Sequence, residues 1–591
     1  MPAISSLSEQ MHWLRLLVEQ ALLRVAEPAQ RLLQRPAGLR QPRSVHPMPQ
    51  PLHACSVQAA DICRGLWRLA GHEVRATGNI IFDHHDAPAD WLRALHGFDW
   101  IFALLRQEHP LWLLRARTLL LDWMERDRRH LPPIALTPEL AARRLINWSA
   151  AATVLLHDAD TAFRNRFLQA LATQYRQVQR PVAPTLAAPA RLRVYLARAW
   201  GALALLDDLS SRNHALEELA AEMSRQFLPD GGHVSRSPAV LLQLMGILLP
   251  LAQAAENMGL ALPAPARQVI DRAVPMLRMF AHADDGLALF QAGRETHRRL
   301  LGQVLAHDAI AGAPLDHAPH SGYARLQQAS TVAIVDVGTP ATPLSNPSAA
   351  LSPLALEFSA RGQRIITSCG APWRAMPELD MAARLSAAHS LPQVAEEDAG
   401  ELRESGLAAR LTGQPVASGP SVEAQVRGSR EGMLLEAAHG AWLATHGLRT
   451  RRSLFLSADG NDLRGEDAFL PAAPDAARPE EAATPFTIRF HLHPSVRASM
   501  ARDGLSVMLL LPDRSAWVFT ARNARMELEE SILLAGRRGP RRSSQIVLRG
   551  QCGQHGCQVN WRLRRSEARP DKHRPRRKAD DGATLTLPLQ E

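Results

Sequence analysis

The sequence predicts a helical N-terminal half followed by a large antiparallel β C-terminal half. Two observations carry this prediction. The spacing of apolar residues changes partway along the chain, and the 591 residues exceed what one hydrophobic core usually organises. Apolar residues make up 46% and charged residues 21% of the chain, which is ordinary for a globular protein. We therefore expect a multidomain protein with at least two folded units.

Helical spacing extends from about residue 55 to residue 311. Apolar side chains there recur at intervals of three and four residues, so that they share one face of a helix. The clearest set is Trp91, Leu95, Phe98 and Phe102. One helix is delimited at both ends, because Pro238 suits a first turn and Gly259 suits a stop. Many such helices joined by short loops predict stacked antiparallel helix pairs.

From about Thr331 the apolar period changes to two, which is typical of strands. The segment 486–493 shows it most clearly. One face carries Phe486, Ile488, Phe490 and Leu492, and the other carries Thr487, Arg489, His491 and His493. The triplet Ala360-Arg361-Gly362 predicts a hairpin turn. Many strands with short turns predict an antiparallel sandwich rather than a parallel sheet.

The formal net charge is +10, and much of it lies near the C-terminal end. Between Arg562 and Asp580, nine Lys or Arg residues stand against three Asp or Glu residues, with two prolines among them. This composition predicts a disordered basic tail. A solvated terminus without a partner is the simplest interpretation, and a tether to nucleic acid or membrane is the alternative. We expect no specific nucleic-acid partner.

The first thirty residues mix charged and apolar side chains, which is not the pattern of a signal peptide. No apolar run reaches the roughly 18–20 residues that span a bilayer, so we expect no transmembrane segment. These features alone predict a cytosolic protein. Five scattered cysteines argue against a disulfide framework, and Cys552 and Cys557 suit a strand–loop–strand turn better than a zinc site.

Seven short segments occur in an order that carries a family resemblance. They are Leu95–Trp100 (LHGFDW), Arg143–Trp148 (RRLINW), Asp230–Pro238 (DGGHVSRSP), His320–Arg325 (HSGYAR), Ala387–Ser390 (AAHS), His439–Gly440 with His446 and Arg451–Arg452, and Arg489–Pro494 (RFHLHP). Over about residues 90–560 this order resembles the heparinase II/III-like polysaccharide lyases of bacteria. The resemblance implies an (α/α) toroid, an incomplete helical barrel, followed by an antiparallel β-sandwich, with a substrate cleft between them.

This resemblance divides the chain into four expected regions. They are an N-terminal extension over residues 1–54, the toroid domain over 55–312, the heparinase II/III-like β-sandwich domain over 313–562 and the basic disordered tail over 563–591. Relatives act in the periplasm or cell envelope, so the resemblance implies that compartment, although the lack of a visible export signal leaves the cytoplasm open.

The resemblance also implies chemistry, namely β-elimination on acidic, uronic-acid-containing polysaccharides such as heparan sulfate or alginate. One group neutralises the uronate carboxylate, a base removes the C5 proton, and an acid protonates the leaving oxygen. We expect His233 as neutraliser or base, and Tyr323 or His389 as the proton-handling partner. The expected substrate-binding residues are Asn147, Arg144, Trp148, Arg236, His320 and His439.

Each of these residues also has a purely structural interpretation. His233 could be a loop histidine that hydrogen-bonds to backbone, and Tyr323 could be a packing residue at a domain junction. Trp148 could pack between helices. Predicted strands or their turns carry the β-half histidines His389, His439, His446, His491 and His493. His491 and His493 share one strand face, and their structural interpretation is the polar outer face of a half-exposed strand.

The chain departs from the family's pattern at its zinc site. Relatives carry a His-x-His-x-Asp run that supplies a catalytic histidine and a metal ligand. The matching residues here are Ser348, Ala350 and Ser352, and an acidic ligand would match Ser368. Neither Ser nor Ala replaces imidazole as a base or ligand near neutral pH. We therefore expect no bound metal and no other cofactor.

The chain also has no tyrosine between His233 and Tyr323, where the family's acid/base tyrosine usually lies. Unless Tyr323 or a histidine such as His282 or His317 takes its place, the usual acid is missing. These departures favour an alternative to the lyase, namely a catalytically inactive glycan-binding or cell-envelope protein of the same fold.

Overall fold

The computed structural model describes Val18 and residues 42–52, 57–76, 80–106, 109–295, 298–306, 312–373, 376–412, 416–471, 483–537 and 539–566. Most of the expected N-terminal extension, and residues 567–591 of the expected tail, lie outside the described residues.

Helices dominate the N-terminal half of the described chain. They are α1 (Ala59–Cys63), α2 (Ala89–Gly97), α3 (Ile101–Leu105), α4 (Pro110–Glu125), α5 (Pro138–Leu156), α6 (Thr161–Val178), α7 (Ala188–Leu205), α8 (Leu209–Gln226), α9 (Pro238–Asn257), α10 (Ala264–Phe280) and α11 (Arg298–Leu305). Helix α5 packs on α6 and α7, α7 on α8, and α10 on α8 and α9. Their shared core buries the indoles of Trp67, Trp91, Trp100, Trp148 and Trp200.

Short polar side chains begin two of the long helices. Asp160 accepts a hydrogen bond from the Phe163 N–H at 2.7 Å, at the start of α6. Asp208 accepts one from the Ser211 N–H at 2.8 Å, at the start of α8. Each carboxylate accepts a hydrogen bond from an N–H group that has no partner within its helix. Its negative charge also interacts favourably with the positive N-terminal end of the helix dipole.

The predicted limits of one helix are confirmed. Helix α9 begins at Pro238, and Gly259 follows its C-terminal end with a φ of +71°. By length and composition alone α9 is apolar enough to cross a membrane, but the core helix of a folded domain passes the same test, so this finding does not decide the expectation of no transmembrane segment. In the structure, 67% of its most apolar window is buried inside the protein, as in the core helix of a folded domain.

One element departs from the helical expectation for this half. Leu66–Leu69 (β1) and His72–Arg75 (β2) form an antiparallel hairpin. Trp67 and Leu69 are buried whereas Arg68 is exposed, which is the alternation of a strand. Gly71 lies in the turn with a φ of +74°, a conformation that glycine adopts without strain. The hairpin is too short to be recognised from the apolar spacing, because helical spacing lies on both sides of it in the sequence.

The described C-terminal half is mainly antiparallel β structure. Its strands are β3 (His317–Ala318), β4 (Tyr323–Gln328), β5 (Thr331–Asp336), β6 (Leu356–Ala360), β7 (Gln363–Ile366), β8 (Pro392–Val394), β9 (Glu401–Arg403), β10 (Val416–Ser418), β11 (Val422–Gly428), β12 (Gly432–Trp442), β13 (Leu448–Ser457), β14 (Asp462–Pro471), β15 (Thr484–His491), β16 (Arg497–Met500), β17 (Ser506–Leu510), β18 (Ala516–Arg522), β19 (Arg525–Leu533), β20 (Arg541–Cys552) and β21 (Cys557–Ser566). Three short helices accompany them, α12 (Pro377–Ala382), α13 (Leu407–Thr412) and α14 (Leu443–His446).

Three sheets build the sandwich. An eight-stranded sheet has the order β11-β12-β13-β14-β21-β18-β17-β16, a five-stranded sheet the order β3-β4-β5-β6-β7, and a four-stranded sheet the order β19-β20-β15-β8. Side chains from all three meet in one core. The predicted inward face of Phe486, Ile488 and Phe490 is confirmed, since all three are buried in this core. The predicted hairpin at Arg361 is also confirmed, as the turn between β6 and β7.

The five-stranded sheet is buried on both faces and joins the two halves. Ala333 and Val335 of β5 pack into the sandwich core, whereas Val332 and Ile334 pack into the core of the helices. The four central residues of β5 are therefore all apolar, as expected for a strand that is covered on both faces. This sheet therefore forms the seam between the helical half and the sandwich.

The last strand sets the limit of the ordered β half. Because β21 continues to Ser566, residues 563–566 are strand residues, and the expected start of the tail at residue 563 is four residues too early. Cys552 and Cys557 close the β20–β21 turn as a disulfide pair. The strand–loop–strand interpretation of these two cysteines is confirmed, and the pair is local, because the two cysteines are five residues apart in sequence.

Candidate functional site

The seam contains a buried carboxylate that is bonded from both halves. Glu357 of β6 is fully buried and accepts hydrogen bonds from the Leu289 N–H at 2.9 Å and from Arg364 at 3.0 Å. His282 lies 3.2 Å from Oε2, the carboxylate oxygen that also accepts from Arg364, and His282 also bonds Ser359 at 2.9 Å. Burial raises the pKa of Glu357, and Arg364 opposes that rise. The network fixes the segment after α10 onto the five-stranded sheet.

His233, the expected neutraliser or base, lies in the interior. It is 2% exposed, its Nδ1 is 2.9 Å from the Ser235 hydroxyl, and its Nε2 is 2.8 Å from Gln226 Oε1. Burial lowers the pKa of this imidazole to about 3. Both ring nitrogens are thus occupied by local partners, and the structure gives His233 no path to a polysaccharide. The interpretation as a hydrogen-bonded loop histidine fits this geometry.

Tyr323 and Arg236 are brought together, but inside the seam. The Tyr323 hydroxyl donates to the Arg236 carbonyl at 2.6 Å, and the Arg236 guanidinium lies 4.9 Å from the Tyr323 ring centroid. Burial raises the pKa of Tyr323 well above its usual value. Arg236 pairs with Asp336 and donates to the carbonyls of Ser321, Gly322 and Thr339. Neither side chain is available to a substrate.

His389 is equally inaccessible. Its side chain is 1% exposed, and neither ring nitrogen makes a hydrogen bond of ordinary geometry. Burial lowers the pKa of the imidazole to about 4, against a weaker opposing effect of the Ala383 backbone. The three expected proton-handling residues therefore do not meet around an open cleft.

The helical trio expected to bind substrate forms part of the helix core. Asn147 donates to the Gly97 carbonyl and to Asp99 Oδ1, both at 2.7 Å. Arg144 donates to Gln174 and to the His96 carbonyl, and burial lowers its pKa to about 9. The Trp148 ring is fully buried. These residues position α2 against α5, and the structure does not support a sugar-binding role for them.

The two remaining expected substrate-binding residues, His320 and His439, lie in different surroundings, one exposed and the other buried. His320 is exposed in the turn before β4. His439 is 2% exposed in β12, and burial lowers its pKa to about 3. His491 is buried and bonded to Ser531 and to the Ala387 carbonyl. Of the expected β-half histidines, His493 is the one that lines a pocket between the two halves.

The positions that match the family's zinc site hold no metal-binding side chains. Ser352 donates to Asp336 at 2.8 Å, the Ala350 N–H donates to Gln291 at 3.1 Å, and the Ser368 N–H donates to Glu357 at 3.3 Å. These groups serve the seam. Within the described ranges, no group of three or more His, Cys, Asp or Glu side chains is placed to hold a metal ion. The residues present do not fit zinc.

An interdomain pocket of about 430 Å³ opens at the edge of the seam. Its charged lining consists of Arg298, Arg299, Arg364, Arg537 and Arg541 with the carboxylates Asp284 and Glu295. Five arginines against two carboxylates leave an excess of three positive charges. Such a pocket attracts anions, and arginine offers paired N–H donors that match carboxylate and sulfate groups.

Two ion pairs in the pocket join the helical half to the β half, namely Asp284–Arg364 and Glu295–Arg541. Arg364 reaches Asp284 at 3.0 Å, and Arg298 approaches the same carboxylate at 3.5 Å. Glu295, from the end of the helical half, pairs with Arg541 of the sandwich and accepts from the Arg537 N–H at 3.3 Å. Burial acts to raise the pKa of Glu295, but bonding to His493 and the charge of Arg541 outweigh it and lower the pKa. Glu295 is thus ionised and already occupies part of the pocket's cationic wall.

The sequence prediction did not single out these arginines. A weak signal existed in two basic dipeptides, Arg298-Arg299 before an apolar run and Arg541-Arg542 after a Gly-Pro turn. Neither dipeptide is specific, because basic pairs are common on protein surfaces. Their convergence depends on the way the sheet seam brings residues 298 and 541 together, which no local pattern reveals.

A helical half joined to an antiparallel sandwich is the architecture of the polysaccharide lyase-like fold. The family description "Heparinase II/III-like, C-terminal" matches residues 310–562. FtsZ-localized protein C of Caulobacter vibrioides is 33% identical over 484 residues, covering 80% of this chain and 82% of that protein. The chain therefore belongs to the heparinase II/III-like family.

Solved structures agree with the toroid-and-sandwich fold. A heparinase III structure superposes with a TM-score of 0.64 at 12% identity, covering 84% of this chain and 80% of that one. A mutant of the heparan sulfate lyase HepC from Pedobacter heparinus gives a TM-score of 0.60 at 12% identity, covering 94% and 89%. At this identity the likeness shows the fold, and the expected fold class is confirmed.

Proposed function

We propose that this protein is a non-catalytic member of its family that binds an acidic polysaccharide in the interdomain pocket. One observation carries the proposal: cationic side chains line the open pocket, whereas His233, Tyr323 and His389 are sealed in packed interiors. The arginines that could hold an acidic sugar are accessible in the pocket. The side chains expected to transfer protons are buried and therefore inaccessible.

Elimination requires proton transfer near neutral pH, and the buried groups are poorly suited to it. An imidazole whose pKa is about 3 or 4 is a weak base at pH 7, and a phenol with a raised pKa is a weak acid. None of the three lines the pocket. Binding without cleavage is the function that this geometry supports best.

Arg299 is the pocket cation best suited to a ligand. It is exposed, and the ion pairs of the described residues engage Arg298, Arg364 and Arg541 but not Arg299. An arginine without a competing carboxylate keeps its charge-assisted donors for a uronate or sulfate. Removing Arg298 and Arg299 together deletes this side of the pocket and leaves the seam intact.

The test compares two double variants of equal charge change. R298Q/R299Q is expected to weaken binding of heparan sulfate or alginate by roughly tenfold, since two charge-assisted contacts are lost. R267Q/R272Q, which removes two exposed arginines of α10, is expected to leave affinity unchanged. Titration calorimetry at fixed salt measures both. Absence of binding to heparan sulfate, alginate and hyaluronan would refute the glycan role.

Cleavage is assayed on the same samples. The ultraviolet absorbance of a 4,5-unsaturated uronate product is expected to stay at baseline with every acidic glycan. A product that forms with the native protein, and is lost in R298Q/R299Q, would overturn the non-catalytic part of the proposal in favour of a lyase with other catalytic groups.

The relative FtsZ-localized protein C favours a second candidate function. Identity of 33% over most of both chains supports a shared cellular role. We propose that this chain also localises with FtsZ. A fluorescent fusion expressed in its own host is expected to follow labelled FtsZ, and a uniform distribution in dividing cells would count against this role.

The compartment remains a proposal that follows from the family. The cell envelope or periplasm is the location that the family resemblance favours, and the cytoplasm is the alternative that a role with FtsZ requires. Fusing a reporter that is active only after export to the C-terminus of the full chain separates the two, because an inactive reporter with a stable fusion would place the protein in the cytoplasm.

A further inference from the structure

A second cavity lies at the end of the sandwich, outside the interdomain pocket. It measures about 1010 Å³ and is formed where the β6–β7, β13–β14 and β17–β18 turns meet the end of β21. Resting on the proposed function above, we propose that this loop-end groove is a second subsite for the same acidic polysaccharide. It would extend the ligand beyond the interdomain pocket.

Three of the groove's carboxylates are already engaged within the protein. Asp462 accepts from Arg464 at 2.8 Å and from Arg562 at 2.6 Å. Asp459 accepts from the Ser457 hydroxyl at 2.5 Å and the Asn461 N–H at 3.1 Å. Asp513 accepts from the Ser515 N–H at 2.9 Å. These bonds order the turns, and Arg464 and Arg562 offset the charge of Asp462. With Glu431 counted, six arginines against four carboxylates leave the lining with an excess of two positive charges.

Other arginines of the groove have no such partner. Arg361, Arg514 and Arg564 line it and are exposed, and among the described residues no carboxylate lies within ion-pair distance of any of them. Arg361 and Arg514 lie on turns and Arg564 lies near the end of β21. The positive charges of these arginines repel one another, and an anion that binds between them relieves this repulsion. The groove thus offers uncompensated cations in the same way as Arg299 in the pocket.

One hairpin connects the two sites. Arg361, at the tip of the β6–β7 turn, lines the groove, and Arg364, in β7, lines the interdomain pocket. Ala360 pairs with Gln363 across this turn. A Cβ on Gly362 would lie 3.8 Å from the Ala283 carbonyl, so the hairpin tip approaches the helical half next to Asp284. A linear polymer that leaves the pocket past this hairpin enters the groove directly.

The lining favours an acidic sugar chain over single-stranded nucleic acid. Its described residues are charged, small or amide-bearing, and include no aromatic side chain on which a base could stack. Carboxylate and sulfate groups repeated along an extended chain would meet arginines repeated along the groove. Two linked sites also predict that affinity grows with the length of the ligand.

The experiment measures affinity against ligand length for three double variants. The ligands are heparan sulfate fragments from disaccharide to dodecasaccharide, at one salt concentration. Native protein is expected to bind the longest fragment at least tenfold more tightly than the shortest, because the second site acts at high effective concentration. R514Q/R564Q is expected to remove most of this gain and to leave short-fragment affinity unchanged.

The other variants separate this inference from the proposed function. R298Q/R299Q should weaken short and long fragments alike, and R267Q/R272Q should match native protein. An R514Q/R564Q protein that keeps the full length dependence overturns the second subsite while leaving the pocket proposal standing. No binding by native protein refutes both. Oligothymidylate of equal charge that binds the groove as tightly would replace the glycan with a general polyanion and overturn the assignment.

Folding is checked independently. All four substituted arginines outside the pocket are exposed, so thermal unfolding of each variant is expected to match native protein. As a second probe of the groove, R361Q alone should reduce the length dependence partly, because Arg361 stands between the two sites. An R361Q protein with unchanged length dependence would argue against a continuous path.

Discussion

The centre and the edge of the domain seam use arginine in opposite ways. At the centre, Arg236 is buried, pairs with Asp336 and donates to three carbonyls. At the edge, Arg299 faces the pocket and is exposed. Saturated hydrogen bonding makes the first a structural element, whereas incomplete bonding leaves the second for a ligand. Position relative to the seam, more than residue type, separates structural charge from charge that is open to a ligand.

The largest effect is expected at the centre of the seam. Asp336→Ala should lower the free energy of unfolding by about 3–5 kcal/mol, because it leaves the buried Arg236 guanidinium without its counter-ion. Urea denaturation measures the change. Glu423→Ala, which removes an exposed partner of Arg449, should cost about 0–1 kcal/mol. Equal decreases in the free energy of unfolding of the two variants would contradict the proposed difference between the buried and the exposed ion pair.

A smaller effect concerns the histidine sealed beside the seam. The pKa of His233 is about 3 in the folded protein, below the value near 6.5 of an unfolded chain. Between these values the unfolded chain binds a proton that the folded protein does not, so stability falls as pH drops below about 6.5. One such histidine accounts for roughly 2 kcal/mol at pH 5.

Unfolding followed from pH 7 to pH 5 checks this prediction. His233→Gln should flatten the dependence by up to one proton, relative to native protein. His130→Gln, at an exposed position, should leave the dependence as it is. If both variants behave like native protein, His233 is solvated in solution and the sealed interior described above does not hold.

The smallest effect is expected at the edge. Glu295→Gln should raise affinity for an acidic glycan about three- to tenfold, because it frees Arg541 from an internal carboxylate. Glu397→Gln, which alters an exposed carboxylate beside His446, should leave affinity unchanged. Titration at constant salt distinguishes the two. A weaker affinity in the Glu295 variant would mean that this carboxylate organises the pocket instead of competing with the ligand.

Most of the fold could be predicted because it follows from local periodicity. The face of Phe486, Ile488 and Phe490 is inward as the period of two requires, and Pro238 begins its helix. The hairpin at Leu66–Arg75 escaped prediction because four-residue strands are too short for their alternation to stand out within a helical region. Motif order was enough to identify the family.

The candidate site was far less predictable, for a physical reason. Family motifs mark His233, Tyr323 and Arg236 as special, yet these residues can be retained for packing after their chemical role is gone. The Tyr323 hydroxyl bonds the Arg236 backbone, and that contact serves the seam whether or not a substrate exists. Burial distinguishes the two uses, and burial arises from contacts distant in sequence, as between Arg236 and Asp336.

Glu357 restricts how the molecule can respond to a ligand. Its carboxylate accepts hydrogen bonds from the segment after α10 and from β7. Rotating the two halves apart would break these bonds and leave a buried carboxylate without partners, which costs free energy. The opening of the interdomain pocket is therefore fixed in the free protein. If the pocket binds an acidic polysaccharide as proposed, selection among glycans depends on the spacing of their acidic groups, and the protein loses little conformational entropy on binding.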